Sequence, residues 1–267
     1  MTTESQAPAL LVERRGGTLW LTINREERRN ALNGEVIAGI HAAVIQAQSD
    51  TTLRALVLTG AGQKAFCAGA NLSQGTGIFA DGLNEATTDF GRLARAVREL
   101  GLPVIGRING DCVAGGMGLM ALCDLVIASD RARFGLPEGR VGVFPMQVLV
   151  YLRRMIHPRH VNELCLTGEL INAQRAVSMG IANEVTPYDS LDAAVSKLIE
   201  RLSAMSPVAL RRGKKVISSM ESMEFHEAIA FAEAQIALAS RTEDAREGLE
   251  AFNEKRKPRW AAQEDQA

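Results

Sequence analysis

The run from Leu53 to Thr59, Leu-Arg-Ala-Leu-Val-Leu-Thr, constrains this chain most: it has the near-continuous apolar character of a strand buried on both faces. Such a strand needs cover, and the preceding segment offers it, because Val36, Ile37, Ile40, Ala43, Val44 and Ala47 recur at helical spacing. Upstream, Leu10 to Arg14 and Thr18 to Asn24 read as two short strands turned at Gly16-Gly17, with alternation at Leu19, Leu21 and Ile23. The order is β-β-α-β, and the expected class is α/β.

The same unit recurs. After a glycine-rich stretch from Gly60 to Gly82, a helix is expected over Asn84 to Leu100, with Phe90, Leu93, Ala94 and Val97 on one face and Pro103 as its stop. Val104 to Ile108 and Leu125 to Ala128 read as strands flanking a short segment, Gly115 to Leu122, that can make two helical turns. Ala132 to Phe134 reads as one more short strand. Beyond Pro145 the pattern is helical at about 147–156, 159–166 and 173–179, with a strand at Ile181 to Val185, then helices near 189–204, 207–219, 223–239 and 243–254. The expected organisation is an α/β core over residues 1–200 and a helical region over 201–267.

Of the 267 residues, 46% are hydrophobic and 23% charged, enough for a packed core and unlike a disordered chain. A net charge of −1 gives no global reason to expect nucleic acid or an anionic membrane as partner, so any anion must be met locally. Cys67, Cys112, Cys123 and Cys165 form no C-x-x-C pair and have no closely spaced histidines, so reduced thiols are expected, with no metal site. Met1 to Leu10 lacks basic residues and a long apolar run, Glu264 to Ala267 is no peroxisomal address, and no segment has the apolar length of a membrane span. A cytoplasmic location is expected.

Three stretches can carry chemistry. In Lys64-Ala65-Phe66-Cys67-Ala68-Gly69-Ala70-Asn71-Leu72, small residues follow a buried strand and let a ligand reach the backbone. In Asn109-Gly110-Asp111-Cys112-Val113-Ala114-Gly115-Gly116-Met117-Gly118, a strand passes into a short helix whose free N–H groups and dipole can face an anion. Two such turns can converge into an oxyanion hole. The third stretch, Phe134-Gly135-Leu136-Pro137-Glu138, puts a carboxylate on a loop; taken singly, each stretch is equally a tight turn or a solvated acid.

Taken together, in this order and spacing, the stretches resemble the signature of the crotonase (enoyl-CoA hydratase/isomerase) superfamily. The resemblance extends through Asn24-Arg25, Arg29-Asn30-Ala31-Leu32-Asn33, Cys123-Asp124, Leu166-Thr167-Gly168, Ala176 to Gly180, and Glu247-Gly248 to Pro258. It implies a spiral of β-β-α units with a helical C-terminal region that mediates trimers, often a dimer of trimers. It also implies an acyl-CoA thioester as ligand, and no cofactor beyond the coenzyme A of the substrate. By position, the oxyanion hole would be the N–H groups of Ala70 and Gly115. Ala31, Ala68, Gly69, Asn71 and Leu72 would line the CoA pocket, and Arg29, with Lys255 and Lys257 as further candidates, would meet the phosphates.

The sequence departs from the hydratase pattern at one point that matters. Hydratases that it resembles carry two glutamates; the first would fall at Gly118, and only the second is present, as Glu138. Moving a double bond needs one base that takes a proton and returns it to another carbon, whereas hydration benefits from a second group. The expectation leans slightly to an enoyl-CoA isomerase, with hydratase and a non-catalytic acyl-CoA-binding homologue as alternatives. Asn71, where the family usually has Asp, and Val143 to Gln147, in place of a glycine-rich turn, point to a differently shaped acyl pocket. Asp111 is expected to be a turn residue. Gly60 to Ala65 also fits G-x-G-x-x-A, which in a dinucleotide-binding protein would open directly into a helix. No G-x-S-x-G is present for a serine peptidase, and His41, His157, His160 and His226 stand in no triad context.

Overall fold

Gly16, at φ 56°, turns β1 (Leu10–Arg15) into β2 (Thr18–Ile23) through a two-residue loop, with Arg15 opposite Thr18. The computed structural model describes residues 7–70 and 87–262. To this hairpin β3 (Ala55–Gly60), β5 (Val104–Ile108), β7 (Leu125–Ser129) and β10 (Glu184–Thr186) add a six-stranded sheet in the order β1-β2-β3-β5-β7-β10, parallel from β2 onward. A second sheet, β4 (Ala65–Cys67), β6 (Asp111–Val113), β8 (Arg133–Gly135) and β9 (Ile171–Asn172), runs in that order, with its first three strands parallel. The chain visits the sheets alternately, β3 then β4, β5 then β6, β7 then β8. It thereby advances one strand per turn, as a spiral of β-β-α units must.

The apolar run in β3 is buried on both faces. Leu56 and Leu58 join the main core with Val36, Ile40 and Val44 of α1 (Gly34–Ser49) and Leu93 and Val97 of α2 (Asp89–Glu99). Ala55 and Val57 face the other way, onto Trp20, Ile105, Ile127 and, from α7 (Leu191–Ser203), Leu191 and Val195. Each such side chain contributes roughly 1.5–3 kcal/mol when fully buried. The Asn33 and Thr88 side chains accept from Val36 N and Gly91 N, both at 3.0 Å, and so start α1 and α2.

Between these lie α3 (Gly115–Met120), α4 (Met146–Met155), α5 (Pro158–Thr167) and α6 (Ala173–Ser178), close to their expected positions. Other expectations shift. Of the helix expected from Asn84, residues 84–86 lie outside the described residues, and the helix described begins at Asp89 with Thr88 as its cap. The strand expected at Ile181 to Val185 lies at Glu184–Thr186, since Ile181 and Ala182 are loop residues packed into the core. Most of the second sheet was not expected: strands of two or three residues are too short to show an alternating pattern.

The C-terminal helices α8 (Pro207–Met220), α9 (Phe225–Ala239) and α10 (Glu243–Asn253) follow. From α8, Arg211 Nη2 donates to Leu53 O at 3.1 Å, and Lys214 Nζ lies 2.7 Å from both Leu102 O and Asp124 Oδ2. Neither α8 nor α9 buries a residue fully, and Phe225, Ile236 and Phe252 are 71%, 69% and 81% exposed. Among the described residues no helix is long and apolar enough to cross a membrane. All four cysteines are free and buried, and burial pushes the Cys67 thiol up to about 12.

Candidate active site

The small sheet positions the three stretches. β4, β6 and β8 are parallel neighbours, and their carboxyl ends lead to Ala70, Gly115 and Glu138 respectively. Ligand crevices of open parallel sheets form at such ends.

After β4, the backbone at Ala68 to Ala70 is held by the loop before α1. Ala68 N donates to Arg29 O at 3.1 Å, Leu32 N donates to Gly69 O at 2.7 Å, and Leu32 and Ala70 form a parallel bridge. Gly69 sits at φ 91°, where a Cβ would lie 2.7 Å from Ala114 Cβ and 3.3 Å from Gly115 N. The turn therefore needs glycine twice over, for its conformation and for its closeness to the next turn. Ala31 is beside this turn, but its N–H already donates to Arg28 O and its carbonyl accepts from Arg25 Nη1. Asn71 and Leu72, expected to line the same pocket, lie outside the described residues.

After β6, Ala114 takes φ 52° and ψ −122°, a conformation alanine rarely adopts and one that costs on the order of 1–3 kcal/mol. It is pinned by Ala114 N donating to Gly135 O at 2.9 Å. The kink starts α3 at Gly115, whose N–H, first in the helix, has no intrahelical acceptor. A Cβ on Gly115 would lie 3.6 Å from Ala70 N, and one on Gly116 would lie 2.2 Å from Cys67 O. The two turns thus meet backbone to backbone. Ala70 and Gly115 both remain partly accessible, and two such donors at close range suit an oxygen that gains negative charge.

Glu138 is in the 3-10 turn Pro137–Val141 that follows β8. Its Oε2 is buried and has no hydrogen-bond partner among the described residues, and desolvation raises the carboxyl above its ordinary value. Cys165 of α5 is its neighbour, and its thiol is pushed up to about 11, first by burial and then by the Glu138 charge. A half-buried carboxyl with one unused, buried oxygen and a raised pKa is suited to accepting and returning a proton.

Position 118 carries no second carboxylate, and a side chain there would meet close neighbours. A Cβ there would lie 3.0 Å from Phe90 Cζ and 3.3 Å from Val148 Cγ2. These neighbours are apolar, which disfavours a charged side chain.

Arg29 does not reach these groups. Its Nη2 donates to Asp111 Oδ2 at 2.6 Å, and Arg133 donates to both carboxylate oxygens of Asp111 at 2.9 and 2.7 Å. Asp111, expected to be a turn residue, is instead the first residue of β6 with a side chain only 6% exposed. These three, with Glu26, Glu27, Lys64 and Arg131, line a cleft of about 570 Å³ at the amino ends of β4, β6 and β8. Asn30 and Asn109 are buried residues to which the sequence pattern assigned no separate role. The Asn30 amide donates to Ala61 O and Ala65 O, and that of Asn109 to Gly62 O and Ala65 O, which knits the turns after β3 and β5. The signal available was an asparagine beside a turn, a residue type that tolerates the φ of 55° found at Asn30. Gly60 to Ala65 opens into β4 rather than a helix, which removes the dinucleotide-binding reading.

The chain has many known relatives. A family model described as enoyl-CoA hydratase/isomerase matches residues 13–263. The 2,3-dehydroadipyl-CoA hydratase of Escherichia coli (strain K12) is 32% identical over 254 residues, covering 93% of this chain and 97% of that one. The short-chain-enoyl-CoA hydratase of Clostridium acetobutylicum is 30% identical over 257 residues, covering 93% and 95%. A solved enoyl-CoA hydratase from Bacillus anthracis superposes with a TM-score of 0.88 at 30% identity, covering 94% of this chain and 98% of that one.

Proposed function

The chain belongs to the enoyl-CoA hydratase/isomerase family, and from that premise we propose that it is an enoyl-CoA double-bond isomerase with Glu138 as its only proton-transfer residue. In this reading the thioester oxygen accepts from the N–H groups of Ala70 and Gly115. Glu138 takes a proton from C2 of a 3-enoyl-CoA; the electron pair delocalises onto the thioester oxygen; the carboxyl returns the proton to C4 as the double bond moves to C2–C3. Each amide donor is worth roughly 3–4 kcal/mol to such an intermediate, on the order of 10²–10³ in rate. The observation that supports the reading is the pairing of an orphaned, buried Glu138 oxygen with apolar neighbours at Gly118, which among the described residues leaves one acid–base group at these turns.

Coenzyme A is part of the substrate and no further cofactor is invoked. The backbone of Ala31 and of Ala68 to Ala70 borders its pantetheine arm, and Arg29, paired with Asp111 in the cleft at the amino ends of the strands, is the candidate for its phosphates. The apolar faces of α8 and α9 fit assembly as a homotrimer or a dimer of trimers, in the cytoplasm.

Hydration is the second reading, favoured by the hydratase names of the Escherichia coli and Clostridium acetobutylicum relatives. NMR of the purified protein in D₂O with 2-enoyl-CoA and 3-enoyl-CoA separates the two. Bond migration with deuterium exchange and no 3-hydroxyacyl-CoA is the expected result; dominant 3-hydroxyacyl-CoA formation would replace isomerase by hydratase.

A further inference from the structure

Two arginines line one small cavity where the α/β core meets the helical region. Arg54, just ahead of β3, and Arg211 of α8 close a space of about 10 Å³ together with Leu53, Leu102, Leu202 and Leu210, and no carboxylate lines it. Arg54 is fixed from behind: its N–H donates to Gly17 O at 2.7 Å, and a Cβ on Gly17 would lie 3.0 Å from its Cγ. Its Nη2 donates to Trp260 O at 3.4 Å, whereas Nη1 is buried and has no hydrogen-bond partner among the described residues. Arg211 Nη2 donates to Asp50 O and Leu53 O at 2.5 and 3.1 Å.

Like charges beside an apolar space repel each other and lose hydration. Burial first, and then the Arg54 charge against an offset from Asp50, lowers the Arg211 guanidinium below its ordinary value. The other charges nearby are engaged: Asp50 with Arg14 at 3.2 Å and with Thr52 N at 2.9 Å, and Lys214 with Asp124 at 2.7 Å. Hydrogen-bond sense decides what suits the space. A buried water needs acceptors for its own hydrogens as well as donors. The guanidinium groups are donors only, and the carbonyls of Leu53, Leu102, Pro103 and Leu202 already accept from Arg211, Lys214, Leu56 N and Met205 N. The Met205 thioether is a weak acceptor. A monatomic anion accepts from every side, donates to none and offsets the charge. The volume suits one particle of about the size of water, and Met205, a lining residue 54% exposed, is unbranched and yields to a slightly larger ion.

We propose that this cavity is a halide site: one chloride ion, held by Arg54 Nη1 and the Arg211 guanidinium, ties the start of β3 to α8 and to the helical turn Arg259–Ala262 that carries Trp260. The site stands apart from Ala70, Gly115 and Glu138, and the inference does not depend on the isomerase reading. The cavity exists only in the folded chain, so a halide that fills it stabilises the fold by mass action.

The test is thermal melting of the wild type, Arg54→Met and Arg211→Met as sodium gluconate is exchanged for sodium chloride or sodium bromide. Ionic strength is held constant, so general screening is the same in every sample. On that exchange the wild type should gain about 2–4 °C over Arg54→Met, saturating with halide, and Arg211→Met should lose the gain as well. In gluconate Arg54→Met should melt no lower than the wild type, because the repulsion from Arg211 is gone; a purely structural Arg54 would make the variant melt lower in every salt. Crystals of the wild type grown in sodium bromide give a readout that needs no variant: anomalous scattering should place a bromide beside Arg54 Nη1. A water at that position, or a full halide response in a folded variant, overturns the proposal. A bromide peak without a halide effect on wild-type melting is an adventitious ion only, and overturns it too.

Discussion

At the scale of single residues, Glu138 combines a raised pKa with an unused buried oxygen, and both properties make predictions. As a base it must be ionised, so the rate with 3-enoyl-CoA should climb with pH through its raised value, and Glu138→Gln should lower turnover by about 10²-fold or more. The same burial acts oppositely on stability. The folded protein holds this proton more tightly than the unfolded chain, so the group's contribution is full below its unfolded pKa and is lost as pH rises through the folded one. Glu138→Gln should therefore melt above the wild type at neutral pH, with the gap closing in acid; a variant that melts lower at neutral pH would contradict the raised pKa. Gly116→Ala tests the meeting of the two turns. Its Cβ would press 2.2 Å from a backbone oxygen of Cys67, and urea unfolding should show a loss of about 1–3 kcal/mol. The glycines themselves were legible as close-approach positions. What they approach was not, because Cys67 is 49 residues away from Gly116 in the chain.

At the scale of elements, buried carboxylates hold pieces together. Glu247 of α10, 4% exposed, accepts from Arg256 Nη1 at 2.6 Å and from Arg259 Nε and N, both at 2.9 Å. The hydrogen bonds from Arg256 and then Arg259 hold its pKa down to about 2. A depressed carboxylate stabilises above its unfolded pKa and loses that contribution as pH falls through the folded one. Glu247→Gln should accordingly speed hydrogen exchange in α10 at neutral pH and make no difference near pH 2. Asp111 also joins segments, through its ion pairs with Arg29 and Arg133 in the cleft. If Arg29 meets the CoA phosphates, Asp111→Asn should raise KM for acyl-CoA by about tenfold with kcat little changed; a fall in kcat at constant KM would place Asp111 elsewhere in the mechanism. Helices α8 to α10 were legible to within a residue or two, since their apolar spacing is local. Of the small sheet only β8 was legible, because the pairing of these short strands comes entirely from distant segments.

At the scale of the whole molecule, α8 and α9 present an apolar surface that the described residues do not cover. Light scattering should find a trimer or a dimer of trimers, and Phe225→Asp with Ile236→Asp should dissociate it; a monodisperse wild-type monomer would overturn that expectation. By itself the sequence determined the α/β class, the recurring β-β-α unit, the glycine-bearing turns and the single carboxylate in place of two. The first three follow from residue identity and short-range periodicity, and the last from the resemblance to the family's two-glutamate pattern. Only the tertiary structure decided that β4, β6 and β8 stand side by side, bringing Ala70, Gly115 and Glu138 to one edge. Only it turned Asp111 into a clamp and set Phe90 and Val148 against position 118. The physical reason is the same in each case: side-chain volume and hydrogen-bond direction act between segments tens of residues apart, and a local pattern carries neither.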